Sequence, residues 1–98
     1  MDNLDSLFNV RGQVAVITGG AGVLCSAMAK GLAAAGAKIA VLDLAREAAC
    51  KLADEIKAAG GTAIGLPCNV LDRPSVEAAA ETVLQAFGRV DVLVNGAG

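Results

Sequence analysis

The sequence predicts an α/β fold: a doubly wound parallel sheet assembled as β-α-β-α-β-α-β. Three observations lead there. Short β-branched runs alternate with longer segments whose apolar residues recur at helical spacing. Each helical segment runs into a glycine, Gly36, Gly60 and Gly88, the residue that most readily takes the left-handed conformation just past a helix end. The strand-like runs are apolar throughout rather than alternating, as in a sheet covered on both faces.

The elements follow in order. Val14-Ala-Val-Ile17 is a buried strand. Residues Val23 to Ala35 are apolar nearly all round, which predicts a buried helix. Lys38-Ile-Ala-Val-Leu-Asp43 is the second strand. Between Arg46 and Ala59, the residues Ala49, Leu52, Ala53, Ile56 and Ala59 mark one face of a helix, with charges between them. Thr62-Ala-Ile-Gly-Leu66 is a weak third strand. Val76, Ala79, Ala80, Val83, Leu84 and Phe87 form another one-sided helix, with Asp72 placed to cap it and Pro74 in its first turn. Val90-Asp-Val-Leu-Val94 is the fourth strand. Right-handed crossovers then give a Rossmann-type sheet of order 3-2-1-4, which leaves the fourth strand at an edge. An apolar parallel edge invites aggregation. Residues 1–98 are therefore expected to be the dinucleotide-binding part of one domain that continues beyond Gly98.

Composition narrows the function classes. The chain is 55% hydrophobic and 18% charged, so it has material for a core and is unlike a disordered segment. A net charge of -2 with no basic cluster argues against nucleic acid or an anionic membrane as partner. No apolar run spans a bilayer, and the start MDNLDSLFNV lacks a basic n-region, so a cytoplasmic location is expected. Cys25, Cys50 and Cys68 form no CxxC pair and the chain has no histidine, so no metal site is expected and the cysteines read as small buried hydrophobes. With neither histidine nor tyrosine, only carboxylates and lysines remain for acid–base work, and no residue is assigned a catalytic role.

Ligands of such sheets bind beyond the C-terminal strand ends. Thr18 ends the first strand, and Gly19, Gly20 and Gly22 follow before the helix. Free N–H groups and partial positive charge at a helix N-terminus suit a pyrophosphate, and glycines let it approach. Read as G-x-G-x-x-G/A, the loop is Gly20-Ala21-Gly22-Val23-Leu24-Cys25, with cysteine at the third glycine. Alone it is a weak signal, with a plain strand-to-helix turn as the alternative. Asp43, followed by Leu44, ends the second strand where a dinucleotide fold places the acid for the adenine ribose hydroxyls; the bland reading is a cap or turn aspartate. An aspartate there favours NAD over NADP, because like charges at ~4 Å repel by about 4 kcal/mol at an effective dielectric near 20. Arg46, three residues on, softens that preference. Asn69 and Val70 follow the third strand, where an amide can pair with an adenine edge or be an ordinary loop residue. Asn95, Gly96 and Ala97 follow the fourth strand, small enough for a cofactor to lie across it.

Taken together, "VRGQVAVITGG", "LDL", "CNV" and "RVDVLVNGAG" resemble the short-chain dehydrogenase/reductase family over nearly the whole chain. The resemblance implies a nicotinamide cofactor whose pyrophosphate is held by Gly19 and the following loop. Asp43 would hold its ribose, Asn69 and Val70 would flank its adenine, and Asn95 would steady the sheet centre. It also implies hydride transfer to or from a secondary alcohol or carbonyl, and a homodimer or homotetramer at full length. The family's serine and Tyr-x-x-x-Lys lie beyond this region. Against its patterns T-G-x-x-x-G-x-G and N-N-A-G, Val23 and Cys25 replace glycines, Gly96 replaces an asparagine, and Asn69 replaces an aspartate. The combination "ITGGAGVLC…LDL…VNGAG" looks like that of the mannonate oxidoreductase and fructuronate reductase subgroup, which acts on sugar acids. The competing readings are a non-catalytic nucleotide-binding or regulatory module, and a structural fragment with no ligand.

Overall fold

The computed structural model of the chain describes residues 11–19 and 22–96, with Val23 and Leu24 described by their backbone alone. The elements are β1 (Val14–Thr18), α1 (Val23–Ala34), β2 (Lys38–Asp43), α2 (Arg46–Ala58), β3 (Thr62–Pro67), α3 (Arg73–Phe87) and β4 (Val92–Asn95). The four strands are parallel in the order β3-β2-β1-β4, as expected.

Alternation along the strands divides the core into two layers. Ala15, Ile17, Ile39 and Val41 point to one face and pack against Ala29 of α1 and Ala49, Leu52, Ala53 and Ile56 of α2. Val14, Val16, Ala40 and Leu42 point to the other and pack against Ala79 and Val83 of α3. Ile17, Ile39, Val14, Val41 and Val83 are fully buried; each such side chain stabilises by roughly 1.5–3 kcal/mol. The central strands β1 and β2 are thus rigidly held, and these are the strands whose ends carry Thr18 and Asp43.

Local differences from expectation have physical causes. The all-round apolar α1 is not a buried helix. Ala29 is buried, but Met28 is 41% exposed and Gly31 and Ala34 also face outward. Five of its twelve residues are alanine or glycine, which lose little by exposure. Asp72 occupies the N-cap position of α3 without a side-chain capping bond. The preceding turn is held by its neighbours: the Asn69 Oδ1 accepts the Leu71 N–H at 3.0 Å, and the Ser75 hydroxyl accepts the Asn69 N–H at 2.9 Å. Gly36, Gly60 and Gly88 all have positive φ, as predicted. Cys68 is buried, while Cys25 and Cys50 are half-buried free thiols.

β4 begins at Val92, two residues later than the sequence suggests, because Asp91 makes a different bond. Its N–H donates to the Val14 carbonyl at 2.9 Å, and its Oδ2 accepts the Val14 N–H at 2.8 Å. Arg89 donates to Oδ1 through Nη2 at 2.6 Å and Nε at 3.0 Å. The Val14 N–H and the Arg89 guanidinium hold the Asp91 carboxyl below its ordinary value of 3.8. A lowered folded pKa contributes stability above the unfolded value, and that stability is lost as pH falls through the folded one. The expected result is a melting temperature that drops on acidification from about pH 5 to about pH 2, with part of the drop absent in Asp91→Asn. Parallel profiles for the two proteins would remove Asp91 from the acid response.

Candidate functional site

The register aligns the strand ends. Thr18 pairs with Leu42 on one side and Asn95 on the other, Leu42 pairs with Leu66, and Asp43 with Pro67. The ladder runs one step further: the Gly19 N–H donates to the Leu42 carbonyl at 2.8 Å and the Gly96 N–H to the Thr18 carbonyl at 3.0 Å. Gly96, Gly19 and Asp43 therefore follow one another along the C-terminal edge, spaced by neighbouring strands about 4.8 Å apart. The sequence-predicted residues from four strands do share one edge.

Between β1 and α1 the chain turns sharply. Gly19 has φ +64°, which a side-chain-bearing residue rarely adopts. Its carbonyl accepts the Gly22 N–H at 3.2 Å, so the loop closes on itself before the helix. Gly22 is the N-cap of α1; it provides no side-chain cap, and the first turn carries no acidic residue. The first N–H groups of a helix have no intrahelical carbonyl to bond. Among the described residues, the N-cap gives them no side-chain partner and the first turn no carboxylate, an arrangement that suits an anion. Gly20 and Ala97 lie outside the described residues.

Asp43 is half-exposed at the end of β2, and its Oδ1 accepts the Ala45 N–H at 2.9 Å. The carboxylate is thereby fixed where the chain turns into α2. The Cys68 N–H donates to the Asp43 carbonyl at 2.9 Å and extends the sheet to the Asn69–Val70 turn. Leu44 is 75% exposed. A groove of about 340 Å³ on the α3 side brings together Thr18, Val70 and Asn95, with Val16, Leu42 and Leu93 among its walls. Gly19, Gly22, Asp43, Asn69 and Gly96 are not among its lining residues; they lie along the edge rather than in the groove.

Two features were missed by sequence reasoning. The Thr18 hydroxyl donates to the Asn95 Oδ1 at 2.9 Å, pinning that amide against β1. A threonine ending one apolar strand and an asparagine ending its neighbour were the available signal. The second is the close approach of Gly96 to Cys25: a Cβ built on Gly96 would fall on the Cys25 Sγ.

Comparison with known proteins accords with this geometry. The sequence profile of the short chain dehydrogenases matches residues 13–98. An uncharacterised oxidoreductase of Bacillus subtilis, UxuB, is 54% identical over 90 residues, covering 92% of this chain and 32% of that protein. A crystal structure with bound NAD from Haemophilus influenzae, provisionally assigned as a D-mannonate oxidoreductase, superposes with a TM-score of 0.90 at 43% identity, over 98% of this chain and 34% of that one. A metagenomic short-chain oxidoreductase in complex with NADP has a TM-score of 0.85 at 39% identity, over 92% and 41% of the respective chains. The chain thus spans about a third of the length of the curated relatives it matches. Among the described residues, no helix is long and apolar enough to cross a membrane.

Proposed function

Since the chain belongs to the short chain dehydrogenase family, we propose that it forms the adenosine-pyrophosphate half of a nicotinamide cofactor site, in the first part of a single Rossmann domain. The observation that carries this reading is the uncapped N-terminus of α1 set on the same strand-end row as Asp43. These two places on the strand-end row suit two parts of a dinucleotide, its central diphosphate and its adenosine ribose. The N–H groups at the start of α1 meet the diphosphate, and the Asp43 carboxylate accepts from ribose hydroxyls. Gly19 and Gly22 let the phosphate approach the backbone, and the N–H groups of Val23 and Leu24 face it. Leu44, Asn69 and Val70 border the adenine. Asn95 and Gly96 border the passage toward the nicotinamide.

When bound, the nicotinamide carries the hydride exchanged with an alcohol or carbonyl carbon. This chain's residues bind and orient it. Asp43 favours NAD over NADP through its charge. The Haemophilus influenzae neighbour supports a sugar acid, mannonate or fructuronate, as the substrate class, and the family supports a cytoplasmic homodimer or homotetramer.

The test is a melting experiment on the full-length protein with each cofactor, followed by turnover. At about 100 times its Kd, a ligand of the folded state adds about 2.7 kcal/mol, so NAD should raise the melting temperature clearly. No response to NAD(H) or NADP(H) would sink the site. Turnover of simple secondary alcohols with none of mannonate or fructuronate would sink the substrate class alone.

A further inference from the structure

Two departures from the family pattern meet in the fold. Cys25 stands at the third loop glycine, and Gly96 at the second asparagine of N-N-A-G. A Cβ added to Gly96 would fall on the Cys25 Sγ, 3.7 Å from the Cys25 Cβ and 3.1 Å from the Thr18 carbonyl oxygen. We propose that Cys25 and Gly96 are a size-exchanged pair. The thiol takes the volume a side chain at position 96 would fill, and so acts as a positioning residue between α1 and the turn after β4. This rests on the reading of that edge as the cofactor site.

Cys25 is half-buried and Gly96 exposed, so the two meet at the rim of the core. Cys25 lies in the first turn of α1, three positions after the Gly22 N-cap, and packs against the core layer containing Ile17 and Ala29. Gly96 is tied to β1 by its N–H bond to the Thr18 carbonyl. A side chain at 96 therefore has to push the thiol aside, displace the helix start or break that bond. The first two alter the spacing between the phosphate-facing N–H groups and the passage beyond β4. Removing the thiol alone loosens the contact between the same elements. Cysteine at 25 is tolerated because residue 96 is glycine, and the reverse.

The test is a double-mutant cycle on the full-length protein, using Gly96→Ala, Cys25→Gly, the double variant and the near-isosteric Cys25→Ser. Gly96→Ala should lower the melting temperature and weaken NAD binding by about tenfold, an ordinary coupling for residues in contact. AMP, which lacks the second phosphate and the nicotinamide half, should bind within about twofold of the unaltered protein. Cys25→Gly in the Gly96→Ala background should recover most of both losses, and Cys25→Ser alone should keep both properties. Additive melting shifts, or equal weakening of NAD and AMP, would overturn the proposal. If Gly96→Ala does not fold, a folded double variant supports the pair and an unfolded one overturns it. If the unaltered protein binds neither nucleotide, the site reading fails and the positioning role with it. The melting cycle still shows separately whether the two residues are coupled.

Discussion

Gly65→Ala is expected to destabilise the protein by about 1–3 kcal/mol, although it adds one methyl group to a residue that touches no ligand. The cause is the seat of α2 on β3. A Cβ at position 65 would lie 2.6 Å from both the carbonyl carbon and oxygen of Ala49 and 2.7 Å from the Cys50 nitrogen. These are backbone atoms of a helix, so no rotamer change relieves the overlap; the helix itself has to lift. Lifting it strains the packing of Ala49, Leu52, Ala53 and Ile56, all buried. It also strains the 3.7 Å contact from the Cys50 thiol to the Gly65 carbonyl. The measurement is chemical denaturation of the two proteins side by side. Gly31→Ala is the control, because a Cβ there meets nothing within 4 Å and alanine for glycine in a helix interior should stabilise by roughly 0.5–1 kcal/mol. The same change of composition thus has opposite signs at two positions. Equal effects at both would show that α2 is not seated on β3 as described.

Gly65 also marks where the sequence was hard to read. In Thr62-Ala-Ile-Gly-Leu66 a glycine simply weakens the strand pattern; only the packing of α2 reveals that nothing larger fits. The order of elements was legible because each link is local: apolar runs, helical spacing and a terminating glycine all lie within one segment. The convergence of Gly19, Asp43, Asn69 and Asn95 was legible for a different reason. Parallel strands bring every C-terminal end to one edge whatever the details. What needed register was hidden. The Asp91 carboxylate takes the Val14 N–H 77 positions away, and Thr18 meets Asn95 at the same separation. Neither pairing can be placed until β1 and β4 are known to be neighbours and aligned residue by residue. Nor does hydropathy separate the half-exposed α1 from a buried helix, since alanine and glycine score as apolar in either place.

Asp43 carries the other large expected effect, and it separates charge from shape. Asp43→Asn should weaken NAD binding by roughly ten- to a hundredfold, the loss of about 1.5–3 kcal/mol expected for hydrogen bonds to a charged group. It should leave NADP unchanged or improved, narrowing the gap between the cofactors, because a 2′-phosphate no longer faces a carboxylate. Asparagine is the informative substitution because it retains an oxygen for the Ala45 N–H, the 2.9 Å bond that shapes the entry to α2. Asp43→Ala removes that bond as well and should cost an additional ~0.5–1.5 kcal/mol of stability. Comparing the two variants by titration calorimetry and melting assigns the affinity change to charge and the stability change to the turn. Arg46, three residues on and at the first position of α2, is expected to contribute to the NADP gain as the first cation after the turn. Arg46→Ala in the Asp43→Asn background should therefore reverse part of that gain. An unchanged NAD-to-NADP affinity ratio in Asp43→Asn would take Asp43 out of the ribose contact and leave it as a turn residue alone.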